Sequence, residues 1–155
     1  MYVSIVGIDR IPLRYYRHKR AAEALVRQAD VPWSILWATQ FHTFLDGLLQ
    51  RLARLPILPL PTDFLFQPID PGGLADRLID CIATGSGGRL PDVGGREVYS
   101  LGELAQTWTE ARGIRRFLIH LPTLGKVVAA YRHGYNTAPQ HGYGKITWAE
   151  WVRRR

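Results

Sequence analysis

A tyrosine and a lysine stand four residues apart in the segment Tyr15-Tyr-Arg-His-Lys19. On a helix, this spacing brings both side chains to one face. A phenol is a weak acid at neutral pH and a neighbouring ammonium favours its ionised form, so the pair suits proton transfer to or from a substrate oxygen. The ammonium can also donate hydrogen bonds to the hydroxyls of a ribose. Because the spacing alone is common, its meaning depends on the surrounding elements.

The segments around this pair predict a strand, a helix and a second strand. Tyr2 to Val6 is β-branched and apolar, as in strands buried in parallel sheets, and Trp33 to Ala38 has the same character. Leu13 to Gln28 predicts a helix between them. This order indicates a βαβ unit with a right-handed crossover, and therefore an α/β protein. Ser4 lies on the first strand, close to the strand-to-helix junction where open α/β sheets bind ligands, and can hydrogen-bond a substrate oxygen.

The remainder of the chain alternates short apolar segments with turn-forming residues. The run from Phe44 to Leu55 follows helical spacing, and we expect the proline-rich segment Pro56 to Pro61 to cover a pocket or a sheet edge. Gly85 to Gly88 predicts a loop. Capping-box spacings at Ser100 and Thr147 predict two helix starts. Further candidates are helices at Leu74 to Ile82 and Leu124 to Arg132, and strands at Phe64 to Ile69, Val98 to Tyr99 and Phe117 to Leu121.

Length and composition indicate one folded globular domain. The chain has 155 residues, of which 46% are hydrophobic and 21% are charged, as in ordinary soluble domains. Cys81 is the only cysteine, which excludes an internal disulfide, and the N-terminus lacks the pattern of a signal peptide, so we expect a cytoplasmic protein. No apolar run reaches the roughly 20 residues that a membrane helix needs.

The net charge of +7 raises the question of a polyanionic partner. The basic residues are spread along the chain in short groups, which favours solvated helix faces and argues against nucleic acid as a partner. These groups include Arg14, Arg17, Lys19 and Arg20; Arg51 and Arg54; Arg112, Arg115 and Arg116; and Arg153 to Arg155. A basic polyanion-binding module remains an alternative, which salt-sensitive retention on heparin would support.

Other chemistries find less support in the sequence. None of the five histidines shares a close ligand spacing with a carboxylate or with Cys81, so we predict no metal site. There is no Gly-x-Ser-x-Gly turn to expose Ser4 as a hydrolase nucleophile. The five tryptophans have helical or strand spacing beside other apolar residues, which indicates core packing.

Several segments together resemble one family. Tyr2-Val-Ser-Ile-Val-Gly7, Tyr15-x-x-x-Lys19-x-x-x-Glu23 and Pro32-Trp-Ser-Ile-Leu-Trp-Ala-Thr-Gln-Phe41 are similar in order and spacing to the NmrA-like, NAD(P)-binding atypical short-chain dehydrogenases/reductases (SDRs). The resemblance extends over nearly the whole chain through Phe66-Gln-Pro-Ile-Asp70, Asp92-Val-Gly-Gly95 and Ser100-Leu-Gly-Glu-Leu104.

The resemblance implies an α/β fold with a partial Rossmann-type, NAD(P)-binding parallel sheet and a small C-terminal substrate-side region. Residues 1–55 would form the end of the sheet and residues 56–155 the substrate-side region of a single domain. The chain lacks the Gly-x-x-Gly-x-x-Gly turn that receives the pyrophosphate, so it is similar to the C-terminal part of the family only. Family members also commonly have arginine at the position of Trp37 and an aspartate within the stretch Pro71-Gly-Gly73.

The resemblance further implies an NAD(P)-dependent oxidoreductase that transfers hydride between nicotinamide and a carbonyl or hydroxyl substrate of unknown identity. Tyr15 would be the general acid or base, Lys19 would bind the nicotinamide ribose, and Ser4 would orient the substrate. The residues expected beside the nicotinamide are Thr39, Gln40 and Phe41. An alternative is a non-catalytic, truncated member that acts as a dinucleotide sensor or interaction protein, in which the exposed sheet edge at Tyr2 to Val6 pairs with a second copy.

Overall fold

The computed structural model describes residues 1–85 and 87–155, which form an α/β fold. Its strands are β1 (Tyr2–Ile5), β2 (Ser34–Ala38), β3 (Ile57–Leu60), β4 (Leu65–Phe66), β5 (Gly88–Arg89), β6 (Tyr99–Ser100) and β7 (Phe117–His120). Its α-helices are α1 (Arg14–Gln28), α2 (His42–Leu52), α3 (Pro71–Ala83), α4 (Leu101–Ala111), α5 (Lys126–Arg132) and α6 (Trp148–Arg153). The predicted fold class, a parallel sheet with helices, is confirmed.

The first forty residues fold as the predicted βαβ unit. Strands β1 and β2 pair in parallel with Ser4 opposite Trp37, and α1 connects them. Ser34, Ile35, Leu36 and Ala38 on β2 are all buried, because this strand is central in the three-stranded order β1-β2-β5. The carboxyl ends of β1 and β2 therefore lie side by side.

The third strand of this sheet differs from the expected loop over Gly85 to Gly88. Gly88 begins β5, which pairs in parallel with β2, while Ser86 lies outside the described residues. Two residues without β-branched character carry almost no strand signal in a sequence. Their pairing is favoured by the edge of β2, which offers backbone hydrogen-bonding groups.

The proline-rich segment after α2 was expected to cover a pocket or sheet edge, and it forms strand β3 instead. β3 pairs in parallel with β7, with Pro59 opposite Ile119. Proline lacks a backbone N–H, so it is tolerated in a strand where no ladder bond depends on that group, as in this two-stranded sheet. β4 and β6 form a separate antiparallel pair.

Helix starts follow the predicted capping chemistry. The hydroxyl of Ser100 accepts a hydrogen bond from the backbone N–H of Glu103, and the Glu103 carboxylate accepts one from the backbone N–H of Ser100. Thr147 and Glu150 form the same reciprocal pair at α6. Each satisfies backbone donors that a helix N-terminus leaves unpaired.

Three apolar clusters fill the interior. The largest joins α2, α4 and α6 around Trp108, Trp148 and Trp151, which are buried as predicted. A second packs β2 against α3 and includes the buried Cys81, and a third packs the first turns of α1 against α5. Among the described residues, none of the helices is both long and apolar enough to cross a membrane.

Candidate active site

A cavity of about 490 Å³ opens beside the carboxyl ends of β1 and β2. Helices α1, α2 and α5 contribute to its walls. All of the residues that the sequence singled out line this one cavity: Ser4, Tyr15, Lys19, Thr39, Gln40 and Phe41. Its volume falls within the range of roughly 300 to 1,000 Å³ that small-molecule sites occupy.

A tight turn after β1 brings helix α1 to this cavity. Gly7 has a φ of +81°, a backbone conformation that side chains with a Cβ rarely adopt. Its carbonyl accepts the backbone N–H groups of Arg10 and Ile11. A Cβ on Gly7 would lie 2.2 Å from the carbonyl oxygen of Tyr135, so the turn requires glycine. The chain then enters α1 with Tyr15 in the first helical turn and Lys19 one turn later.

The Lys19 ammonium lies against β1. Its Nζ donates a 2.9 Å hydrogen bond to the carbonyl oxygen of Val3 and lies 4.2 Å from the centre of the Tyr2 ring. An ammonium has three N–H donors, so the bond to Val3 leaves donors for a ligand. The cation is thus held at the wall of the cavity in a defined position.

Ser4 presents a hydroxyl that lacks a partner within the described residues. The residue is 3% exposed, and its Oγ has no hydrogen bond there. A buried hydroxyl without a partner carries a desolvation cost, so such groups in native proteins commonly have a ligand or water as partner. Ser4 is therefore suited to donate to the oxygen of a bound molecule.

The two adjacent tyrosines have opposite environments. Tyr15 is 60% exposed at the mouth of the cavity, whereas Tyr16 is 5% exposed. Burial raises the pKa of Tyr16 far above its usual value, and the neighbouring hydroxyl of Tyr131 on α5 adds to the rise. Tyr16 therefore stays a neutral phenol, and the solvent-accessible Tyr15 is the tyrosine suited to exchange protons.

Tyr16 and Tyr131 also line the cavity, although the sequence reasoning did not single them out. Tyr131 lies on a short helix more than a hundred residues after Tyr16, and neither residue stands in a recognisable motif with the other. The two residues come together because α1 packs against α5 in the folded chain.

The residues after β2 use several of their polar groups within the fold. The Thr39 hydroxyl donates a 2.5 Å hydrogen bond to the carbonyl oxygen of Gln67, and the Gln40 side-chain oxygen accepts one of 3.4 Å from the Asn136 amide. Phe41 precedes α2 as its N-cap residue and forms a parallel bridge with Ile69. These bonds fix the loop that follows β2 along the cavity wall.

Trp37 and the stretch Pro71-Gly-Gly73 have structural partners. The Trp37 indole donates a 2.9 Å hydrogen bond to the carboxylate of Glu23, and the guanidinium of Arg89 stacks 3.9 Å from its ring centre. Before Pro71-Gly-Gly73, the Asp70 carboxylate accepts a 2.6 Å bond from the N–H of Gly73 and caps α3. Both are thus accommodated by local contacts.

Charged groups elsewhere form ion pairs. Arg112 binds Asp46 at 2.8 Å, and Arg132 binds Asp63 at 2.5 Å. Over residues 1–85 and 87–155 no group of three or more histidine, cysteine, aspartate or glutamate side chains is arranged to hold a metal ion.

No model of a protein family matches this chain, and no curated protein matches it in sequence. Solved structures do match it. A nucleoside-diphosphate-sugar epimerase from Staphylococcus aureus superposes with a TM-score of 0.73 at 15% identity, over 97% of this chain and 63% of the other. An NADPH-dependent quinone oxidoreductase from Escherichia coli, solved with NADPH, superposes with a TM-score of 0.77 at 14% identity, over 99% of this chain and 64% of the other. A dTDP-4-dehydrorhamnose reductase from Clostridium acetobutylicum superposes with a TM-score of 0.66 at 14% identity, over 99% of this chain and 63% of the other.

These similarities define the fold class. At 14 to 15% identity they show a shared architecture, the Rossmann-like fold of NAD(P)-binding reductases. The chain spans 63 to 64% of the length of these three proteins. Fold similarity does not by itself assign a reaction, which depends on the side chains of the site.

Proposed function

We propose that this chain corresponds to the C-terminal part of an NAD(P)-binding oxidoreductase of the SDR type, similar to the NmrA-like group. The observation that carries the proposal is that Ser4, Tyr15 and Lys19 line one cavity at the carboxyl ends of two parallel strands. Thr39, Gln40 and Phe41 line the same cavity from the neighbouring strand. Structural neighbours that include an NADPH-dependent reductase support the same class.

The residues present fit the nicotinamide-ribose end of the cofactor. The remaining donors of the Lys19 ammonium can bond the ribose hydroxyls at the cavity wall, and the unpartnered Ser4 hydroxyl is left for the substrate oxygen. The apolar side chains of Ile5, Ala38 and Phe41 offer a surface for a flat ring. The pyrophosphate end has no counterpart in this chain, because the glycine-rich turn that binds it is absent from the sequence.

The reaction that these residues would support is the interconversion of a carbonyl and an alcohol. A nicotinamide held beside Lys19, Thr39 and Gln40 would supply the hydride that the carbonyl carbon gains. The Tyr15 hydroxyl donates a proton to the substrate oxygen and recovers it from solvent, since the residue is exposed. The Ser4 hydroxyl donates a hydrogen bond to the same substrate oxygen.

A non-catalytic role is the second candidate. Among the strands of the described residues, β1 pairs with β2 alone, which leaves one edge of β1 open. Such an edge can accept a strand from a second copy or another protein. Light scattering distinguishes the two cases, because a concentration-dependent dimer that Val3→Pro abolishes supports pairing through this edge, whereas a monomer at all concentrations contradicts it.

Cofactor titration tests the proposed function. We expect NADPH or NADH to bind the purified chain saturably, followed by nicotinamide fluorescence, and binding to be lost in Lys19→Ala. Arg20→Ala is the matched control, because Arg20 is an exposed cation next to Lys19 that does not line the cavity. No binding up to millimolar cofactor, or equal loss in both variants, would overturn the proposal.

A further inference from the structure

The cavity walls are largely apolar and aromatic. The rings of Phe41 and Phe44 line one side, and those of Tyr16 and Tyr131 line another. Phe44 lies on α2 at the cavity rim and is 59% exposed. A large aromatic side chain that remains exposed at a rim is available to contact a bound apolar molecule.

Charge is scarce at this site. Among the described residues that line the cavity, Lys19 is the single cation, and no carboxylate lines it. The Lys19 ammonium is held by the Val3 carbonyl and the Tyr2 ring. Burial keeps Tyr16 and Tyr131 neutral by raising the pKa of each. A diphosphate or carboxylate in the cavity would lack the several cations that compensate a buried anion.

Few polar groups at the cavity wall are free to form hydrogen bonds with a ligand. The Thr39 hydroxyl is occupied by the Gln67 carbonyl, whereas the Ser4 hydroxyl and the Gln40 amide nitrogen have no partner among the described residues. Tyr15 adds a second hydroxyl at the mouth. A sugar carries many hydroxyls, and most of them would be buried against apolar walls without hydrogen bonds, at a cost for each.

We infer that the substrate is an uncharged aromatic or conjugated carbonyl compound, whose ring lies against Phe44 and Tyr131 and whose oxygen meets Ser4 and Tyr15. This inference rests on the proposed function. In the reductive step the C=O π bond breaks while hydride forms a C–H bond at carbon and the Tyr15 proton forms an O–H bond at oxygen. The substrate gains the two electrons that the reduced nicotinamide loses, and solvent returns the proton to Tyr15.

Ligand-observed NMR on the full chain without cofactor tests the inference with a matched pair of probes. Methyl naphthyl ketone and naphthoate share size and shape, but only the second is charged. We expect the ketone to bind at least about 10-fold more tightly than naphthoate or UDP-glucose, a difference of about 1.4 kcal/mol. The opposite order, with naphthoate or UDP-glucose equal to the ketone or tighter, would overturn the inference.

Variants locate the binding site. Ser4→Ala should weaken ketone binding by about 5-fold, as expected for loss of one hydrogen bond. Phe44→Ala should weaken it also, and this exposed residue can be truncated with little effect on folding, which circular dichroism checks. Leu25→Ala is the control, since Leu25 is 69% exposed on α1 and does not line the cavity. Equal ketone binding by all three variants would contradict the inference.

The cofactor titration separates this inference from the proposed function. Lys19-dependent NADPH binding combined with a preference for naphthoate or UDP-glucose would overturn the substrate class and leave the proposed function intact. Ketone binding that depends on Ser4 and Phe44, without cofactor binding, would support the cavity chemistry and overturn the oxidoreductase proposal.

Discussion

The carboxylate of Glu23 on α1 accepts a 2.9 Å hydrogen bond from the indole nitrogen of Trp37 on β2. Glu23 is 4% exposed and follows Lys19 by one helical turn, and Trp37 precedes the residues of β2 that line the cavity. The bond therefore ties the helix that carries Tyr15 and Lys19 to the strand that leads to Thr39. It helps to set the position of the candidate catalytic residues relative to the sheet.

Loss of the Glu23 carboxylate should destabilise this arrangement. In Glu23→Ala the partly buried indole N–H of Trp37 loses its acceptor, so we expect the free energy of unfolding to fall by roughly 1 to 3 kcal/mol in urea titrations. Arg27→Ala is the comparison, because it removes only a half-exposed ion pair to Glu23 and should cost less than about 1 kcal/mol. Similar losses in the two variants would contradict a special role for the Trp37 bond.

The Tyr16 and Tyr131 hydroxyls should be energetically coupled. Tyr131 contributes to the raised pKa of Tyr16, and both side chains line the cavity where α1 packs against α5. Tyr16→Phe and Tyr131→Phe should each lower the free energy of unfolding by about 1 kcal/mol, and the double variant should lose less than the sum of the two. Strictly additive losses in chemical denaturation would argue that the two hydroxyls are not coupled to each other.

The adjacent tyrosines should differ in catalysis. Once a carbonyl substrate with measurable reduction is found, Tyr15→Phe should lower kcat by about 100-fold or more, the usual contribution of a general acid. Tyr16→Phe should change kcat by only a few fold, because the buried Tyr16 hydroxyl is held by the fold. Steady-state kinetics with NADPH measures both, and the reverse order of effects would reassign the acid to Tyr16.

His42 predicts a pH dependence of stability. The side chain is fully buried against Trp148 and Trp151, and burial lowers its pKa to about 4, although the nearby Asp70 carboxylate opposes the shift. The unfolded chain therefore takes up this proton first, near pH 6.5. The stabilisation is present above that pH and is lost as the pH falls toward 4, by roughly 3 kcal/mol in total.

Urea unfolding at pH 7.5 and pH 5 measures this effect. In His42→Phe, which cannot titrate, the difference in free energy of unfolding between the two pH values should shrink. His18→Phe is the control, since His18 is exposed on α1. An unchanged pH dependence in the His42 variant would assign the effect to other groups.

The elements nearest the site could be predicted from the sequence because their signals are local. The β-branched run at β1 and the apolar run at β2 identify strands without further context, and the capping box of Ser100 identifies a helix start, although β1 is only partly buried. Strand β3 could not be predicted, since its prolines argue against a strand and its pairing depends on β7, about sixty residues later.

The cavity likewise combines residues that local sequence signals predict with residues brought in from distant parts of the chain. Tyr15, Lys19 and Ser4 fall within the first twenty residues, where the strand-to-helix order predicts that they approach one another. Tyr131 reaches the cavity only because α5 packs against α1, a contact with no counterpart in local spacing. The hydrogen bonds of Thr39 and Gln40 could not be predicted either, since their partners Gln67 and Asn136 come from distant parts of the chain.

The most direct test of the central claim uses the nicotinamide half of the cofactor by itself, because this chain lacks the turn that binds the pyrophosphate. Reduced nicotinamide mononucleotide should shift the backbone amide NMR signals of residues 3–5, 15–19 and 38–41 saturably, in the wild type and in Arg20→Ala but not in Lys19→Ala, and AMP should shift none of them. The absence of shifts at millimolar ligand, or shifts that map away from this cavity, would contradict the account.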